Sequence, residues 1–124
     1  MRLTVCLAVQ GTCTVVTLGG YSDLSTRGQL RDVLTAAATQ TSHLVVDMSR
    51  LGFMDSTGLN VLVDVDRCMD GRGGTLALAA PQPIVAKVLR ICGLDEVFTV
   101  HASMPEAMAG VAEGAETPAP AGEL

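Results

Sequence analysis

Apolar and polar residues alternate over residues 3–9, as in a strand, and Gln10-Gly11 supplies a hairpin turn. A second run rich in Val and Thr, residues 13–18, reads as the partner strand; Gly19-Gly20 ends it and Tyr21-Ser22-Asp23 forms a loop. The period then changes. Leu30, Val33, Leu34 and Ala37 recur at helical spacing, which predicts a helix over 26–39 with Ser25 as its cap. Residues 43–48 form a third strand whose unbroken Leu44-Val45-Val46 suits a strand covered on both faces. A second helix is expected over 57–69, with Leu59, Leu62, Val63 and Asp66 on one stripe, Val61, Val65 and Cys68 on another, and Gly71 as its stop. After Gly73-Gly74 a fourth strand covers 75–80. Pro81 and Pro83 open a third helix over 84–92, with the stripe Ile84, Val88, Leu89 and Cys92, closed by Gly93. A short fifth strand spans 97–100. Ser103-x-x-Glu106 is a capping box for a last helix over 105–111.

The order β-β-α-β-α-β-α-β-α predicts an α/β domain: an antiparallel hairpin followed by strands paired in parallel through right-handed crossovers. The domain is expected over residues 1–112. From residue 113 the chain is Gly, Ala, Pro and Glu without periodicity, and a disordered tail is expected over 113–124. No internal repeat is visible.

Composition narrows the function classes. The 124 residues suit one domain and one core. Aromatics are 2% with no Trp, so the core must come from Val, Leu, Ile, Ala and Met, and stacking platforms for bases are absent. The formal charge of −5 argues against a nucleic-acid surface. No apolar run approaches the roughly 18 residues of a membrane span, and the N-terminus lacks a signal-peptide core, so a cytoplasmic protein with no membrane contact is expected. Cys6, Cys13, Cys68 and Cys92 form no C-x-x-C pair, and each sits in an apolar run; buried free thiols are expected.

The candidate chemistry gathers at Met54-Asp55-Ser56-Thr57-Gly58-Leu59-Asn60, where a strand-like run passes into a helix-like one. Ser56 falls at the helix start. There its oxygen could accept from the free N–H groups of the first turn, in which case Ser56→Ala would cost about 1 kcal/mol. A phosphate on the same hydroxyl would meet those N–H groups and the positive end of the helix dipole. It would add about −1.5 to −2 charges. Two unit charges roughly 5 Å apart interact by about 3 kcal/mol at an effective dielectric near 20, enough to change binding to a partner by orders of magnitude. From chemistry alone a plain capping serine and a modified serine stand level.

Other chemistries fit less well. Ser56 lacks a G-x-S-x-G elbow, and neither His43 nor His101 has neighbours in sequence that suggest a base. Among Asp23, Asp47, Asp55, Asp64 and Asp66, Asp47 points toward the same end as Asp55, and such carboxylates could hold Mg²⁺; no Lys or phosphate-binding loop accompanies them. Gly71-Arg72-Gly73-Gly74 follows a helix and precedes a strand, the reverse of a phosphate-loop order, and reads as a turn. No metal or cofactor is called for.

The run Leu51-Gly52-Phe53-Met54-Asp55-Ser56-Thr57-Gly58-Leu59 resembles the phosphorylation loop of the anti-anti-sigma factors, in the STAS domain family. Gly20-Tyr21-Ser22-Asp23 is similar to the family's loop after its second strand, Leu44-Val45-Val46-Asp47-Met48-Ser49 to its third strand, and residues 85–94 to its third helix and the turn beyond. The resemblance covers about residues 3–111. It implies a single right-handed βα superhelix whose five strands lie in sequential order, with the hairpin strand at one edge and about four helices. It also implies a function without enzymatic activity. The unphosphorylated protein would bind an anti-sigma factor that is a serine kinase, and so free a sigma factor. The kinase, supplying Mg-ATP, would phosphorylate Ser56 and release the protein, and a metal-dependent serine/threonine phosphatase would reset it. Asp23, Asp55, Ser56, Thr57, Gly58 and Asn60 would form the partner face, with Thr57 second to Ser56 as acceptor. The chain departs from the family pattern at Tyr21, Ser22 and Asn60, all on the expected contact face, where they bear on which partner is recognised. Two other readings remain: a STAS-like scaffold or accessory subunit of a stress-signalling or lipid-transport complex without phosphate turnover, and a small serine enzyme.

Overall fold

The alternation of short apolar runs and helical stripes builds a single five-stranded sheet with its helices divided unequally between the two faces. The computed structural model describes residues 2–116, with side chains through Gly110. Strands β1 (Leu3–Gln10) and β2 (Cys13–Ser22) form the antiparallel hairpin, turned at Gly11 with φ +65°. Strands β3 (His43–Met54), β4 (Thr75–Ala79) and β5 (Thr99–His101) join in parallel, giving the order β1-β2-β3-β4-β5. The helices are α1 (Arg27–Ala38), α2 (Ser56–Gly71), α3 (Pro83–Ile91) and α4 (Met104–Glu116). This is the expected sequential α/β sheet with an antiparallel edge hairpin.

Each central strand sends alternate side chains to opposite faces. Val16, Leu18, Leu44, Val46, Leu76 and Leu78 meet Leu30 and Leu34 of α1, Leu59 and Leu62 of α2, and Val85 and Leu89 of α3 in the main core. Cys13, Val15, Val45, Ala77 and Ala79 face the other way and pack with Ala107, Met104 and Met108 of α4. The small side chains on that side fit its thinner cover.

Several boundaries differ from the sequence reading. Gly19-Gly20 do not end β2, which runs on to Ser22. A Cβ at Gly19 would crowd Thr4 and Arg50, and Gly20 has φ +85° against the Arg2 carbonyl, so both glycines serve close strand approach rather than a turn. β3 likewise continues past Met48 to Met54. Its pairing with β2 slips at Thr17/Gly19 and again at Gly20/Tyr21, where β3 carries the extra residues. Ser25 does not cap α1. Asp23 caps a short 3₁₀ turn, Leu24–Thr26, that leads into the helix. The α3 stripe is rotated from the one expected: Val85 and Leu89 are buried, whereas Ile84 and Cys92 are exposed. On α2, Cys68 is exposed and Met69 takes the buried place. Gly71 is the last helical residue, and the stop is Gly73, φ +78°, with Gly73 and Gly74 N–H bonded to the Asp70 and Met69 carbonyls. β5 begins at Thr99, after a 3₁₀ turn at Leu94–Glu96.

Of the cysteines only Cys13 is buried, and burial pushes its thiol above the usual 9.0; Cys6, Cys68 and Cys92 are exposed and all four are free. Cys6 sits on the strand face opposite the buried Leu3, Cys68 lies beside the buried Met69 of α2, and Cys92 follows the exposed Ile91 at the end of α3. Ser103 Oγ accepts the Glu106 N–H at 3.3 Å, as the capping box requires. Helix α4 then runs to Glu116, beyond the 113 at which the tail was expected to begin; residues 117–124 of that tail lie outside the described residues. No helix among the described residues is long and apolar enough to cross a membrane.

Candidate functional site

Beyond Asp47, which pairs with Ala79, β3 leaves β4 behind and continues beside β2 alone. The two strands continue as a two-stranded ribbon that ends in the buried pair Ser22 and Met54. The Tyr21 and Phe53 rings lie 6.5 Å apart, tilted by 38°, along its length. Two acidic turns sit side by side at its tip. Asp55 N–H donates to the Ser22 carbonyl at 3.1 Å, which ties the segment after β3 to the segment after β2.

Each turn is organised by its own aspartate. Asp23 Oδ1 accepts the Ser25 N–H at 3.0 Å and the Ser25 hydroxyl at 2.6 Å, and the Asp23 N–H donates to Thr26 Oγ1 at 2.9 Å. The Ser25 hydroxyl above all, with the Ser25 and Thr26 N–H groups behind it, holds the Asp23 carboxyl below its usual 3.8 and outweighs the opposing effect of desolvation. Asp55 is the N-cap of α2, in extended backbone with φ −102° and ψ −173°. Its Oδ1 accepts the Thr57 N–H at 3.0 Å and the Thr57 hydroxyl at 2.5 Å, and its carbonyl accepts the Leu59 N–H at 3.2 Å.

The capping role expected of Ser56 therefore belongs to Asp55. Ser56 is the first helical residue, and it is exposed. A Ser at this position points its side chain back over the free N–H end of the helix while contributing nothing to the cap. Thr57, the other hydroxyl of the motif, is half-buried and spent on Asp55. Gly58, expected on the contact face, lies beneath the surface. It is buried, with its Cα against Ser22, and a Cβ would run into Ser22 Oγ and Met54. Ser22 Oγ is fully buried and has no hydrogen-bond partner among the described residues. Asn60 is exposed, one helical turn beyond Ser56.

Asp47 does not join this site. With β3 continuous to Met54, Asp47 lies roughly 25 Å before Asp55 at the usual rise of a strand. It accepts its own Ser49 N–H at 3.0 Å. Asp64 pairs with Arg31 at 3.1 Å on an exposed surface, and no group of three or more His, Cys, Asp or Glu among the described residues could hold a metal ion. The histidines meet away from Ser56. His43 Nδ1 lies 2.9 Å from Thr75 Oγ1, His101 packs on Gly110, and both border an open groove of about 170 Å³ with Thr75, Thr99, Leu76 and Ala77. The isolation expected of each from sequence is thus replaced by a shared groove, and Ser56 has no imidazole at hand.

One residue of the site surface escaped the sequence reading. Leu24 is 73% exposed and, with the already expected Tyr21 at 41% on the other side of Asp23, flanks the acidic tip with apolar surface. An unpatterned Leu directly after a loop aspartate was the available signal.

The STAS domain pattern matches residues 5–107. The anti-sigma-F factor antagonist RsfB of Mycobacterium tuberculosis is 26% identical over 113 residues, 90% of this chain and 92% of RsfB. An anti-sigma factor antagonist from Mycobacterium paratuberculosis, 23% identical, superposes with a TM-score of 0.84 over 89% of this chain and 94% of its own. SpoIIAA in its unphosphorylated form is 26% identical, with a TM-score of 0.75 over 89% of this chain and 97% of its own. The Bacillus SpoIIAA in its phosphorylated form is also 26% identical, with a TM-score of 0.69 over 87% and 99%. With the sheet order, the edge hairpin and the acidic serine turn before α2 all in place, the chain belongs to the STAS domain family.

Proposed function

We propose that this protein is an anti-sigma factor antagonist whose binding is switched by phosphorylation of Ser56. The observation that carries the reading is the division of labour at α2: Asp55 caps the helix, so Ser56 stands exposed at its first position with no structural task. A hydroxyl so placed is open to a kinase. Its phosphate would sit at the positive end of a 16-residue helix, so the modified fold need not rearrange.

Unphosphorylated, the chain docks on an anti-sigma serine kinase through Asp23, Asp55, Ser56 and Asn60, with Tyr21 and Leu24 as apolar flanks. Thr57 and Gly58 shape that face from beneath. The bound kinase releases its sigma factor. Transfer of the γ-phosphate from the kinase's Mg-ATP to Ser56 places a dianion beside Asp23 and Asp55, and its repulsion from acidic partner groups ends the complex. A metal-dependent serine/threonine phosphatase restores the hydroxyl. In this reading the chain is a cytoplasmic binding module, and the ATP and metal belong to its partners. Support comes from the anti-sigma antagonists among its relatives and from SpoIIAA, which is known in both phosphorylation states.

The test is binding to the cognate kinase. Ser56→Ala should bind as the parent does, accept no phosphate and hold the kinase off its sigma factor. Ser56→Asp and Ser56→Glu should bind at least tenfold more weakly. Binding of all three at the parent's strength would instead make the chain a scaffold.

A further inference from the structure

The described sheet leaves an edge open along β1. Tyr21 N–H donates to the Arg2 carbonyl at 2.9 Å, so the even residues of β1 direct their backbone groups at β2. The odd residues direct theirs outward. Leu3 agrees: its carbonyl is taken from outside by Gln29 Nε2 of α1 at 3.0 Å. That leaves the N–H and C=O groups of Val5, Leu7 and Val9 along an edge that no other described strand pairs with.

Edges of this kind are usually protected by Lys, Pro, a bulge or an inward charge. β1 has none of these. Its register with β2 is unbroken from Leu3 to Gln10, and the strand holds no charged residue and no proline. Leu7 and Val9 are 53% and 76% exposed. The sequence also reads nearly alike in both directions about Leu7: Thr4-Val5-Cys6-Leu7-Ala8-Val9-Gln10. If two copies of this strand lie antiparallel with a two-fold axis at Leu7, Thr4 meets Gln10, Val5 meets Val9, Cys6 meets Ala8, and Leu7 meets itself. Polar positions face polar, apolar face apolar, and small face small. The free backbone groups of Val5, Leu7 and Val9 are the ones this register bonds, and Leu3 keeps its bond to Gln29. The chain's net charge of −5 opposes self-association at long range, but no like charges meet within the seam.

We propose that the partner of this edge is a second copy of the chain, joined β1 to β1 about Leu7 into one continuous ten-stranded sheet. Leu7 pairs with Val16, midway along β2, whereas Ser56 lies past the ribbon's tip, so the dimer leaves both switch faces free. Such an isologous contact closes on itself and does not propagate.

Sedimentation equilibrium from micromolar to near-millimolar protein tests this. The parent should approach twice the monomer mass, and Val9→Lys and Leu7→Lys should remain at the monomer mass with unchanged circular dichroism. Both side chains already face solvent, so the fold should tolerate either change. The register has its own test. Cys6 and Ala8 of the second copy form a non-hydrogen-bonded pair with Cα atoms about 4.5 Å apart, within disulfide reach. Ala8→Cys should therefore give a covalent dimer on mild oxidation, lost when Cys6→Ser is added. A parent that stays monomeric throughout the range, or lysine variants that dimerise as the parent does, would overturn the proposal. A dimer whose Ala8→Cys crosslink is indifferent to Cys6→Ser would overturn the register.

Discussion

At the mouth of α2 the cap and the exposed hydroxyl fall to different residues. Asp55 takes the Thr57 N–H, and Ser56, one position on, takes nothing that the helix depends on. Stability measurements separate the two. Asp55→Ala should lose about 1 kcal/mol, the usual worth of an N-cap, and Ser56→Ala should stay within about 0.5 kcal/mol of the parent in urea melts. An equal loss for both would return the cap to Ser56. Beneath the pair, Ser22 Oγ lies buried against Gly58, without a hydrogen-bond partner among the described residues. Ser22→Ala removes a desolvated hydroxyl and should stabilise the fold by about 1 kcal/mol. Gly58→Ala adds a methyl where Ser22 and Met54 leave no room and should cost about 1–3 kcal/mol, a loss relieved when Ser22→Gly accompanies it. Without that relief in the double variant, the clash would not lie with Ser22.

Among the elements, α2 shows why the existence of a helix is more legible than its ends. Leu59 and Leu62 on one stripe and Val61 and Val65 on the other announced it, and all four are buried. The cap was misplaced by one residue because Asp and Ser are both good caps, and only the backbone angles at Asp55 choose between them. The ribbon of β2 and β3 was missed for a related reason. Gly19 and Gly20 read as punctuation, yet their lack of side chains is what lets Thr4, Arg50 and the Arg2 carbonyl come close. The convergence of Asp23 and Asp55 was legible only through family resemblance, since the bond from Asp55 N–H to Ser22 spans two strands distant in sequence. α2 also carries a strained charge. Burial, and secondarily the Asp70 carboxylate, push Asp66 above its usual 3.8. A carboxyl whose folded pKa exceeds its unfolded one makes the fold less stable as pH rises through that interval, and the cost persists above it. Asp66→Asn should therefore raise Tm at neutral pH, and the advantage should vanish as pH falls below about 3.8, where both states carry the proton. An advantage that is independent of pH would place its origin elsewhere.

For the whole molecule, the unequal cover of the sheet separates structure from recognition. Three helices bury the large residues of one face, and α4 closes the other with small ones. At the ribbon tip Ser22 and Met54 are buried while Ser56 and Asn60 are exposed, so in the proposed reading a charge on Ser56 changes what can dock without disturbing what is packed. The central claim is that phosphate on Ser56 acts at that surface and not through the fold. Its most direct test is calorimetric titration of the cognate anti-sigma kinase with the unmodified chain and with the same chain stoichiometrically phosphorylated on Ser56. The phosphorylated chain should keep its thermal stability and bind at least about a hundredfold more weakly, a difference of about 2.8 kcal/mol. Equal affinity of the two forms would contradict the account.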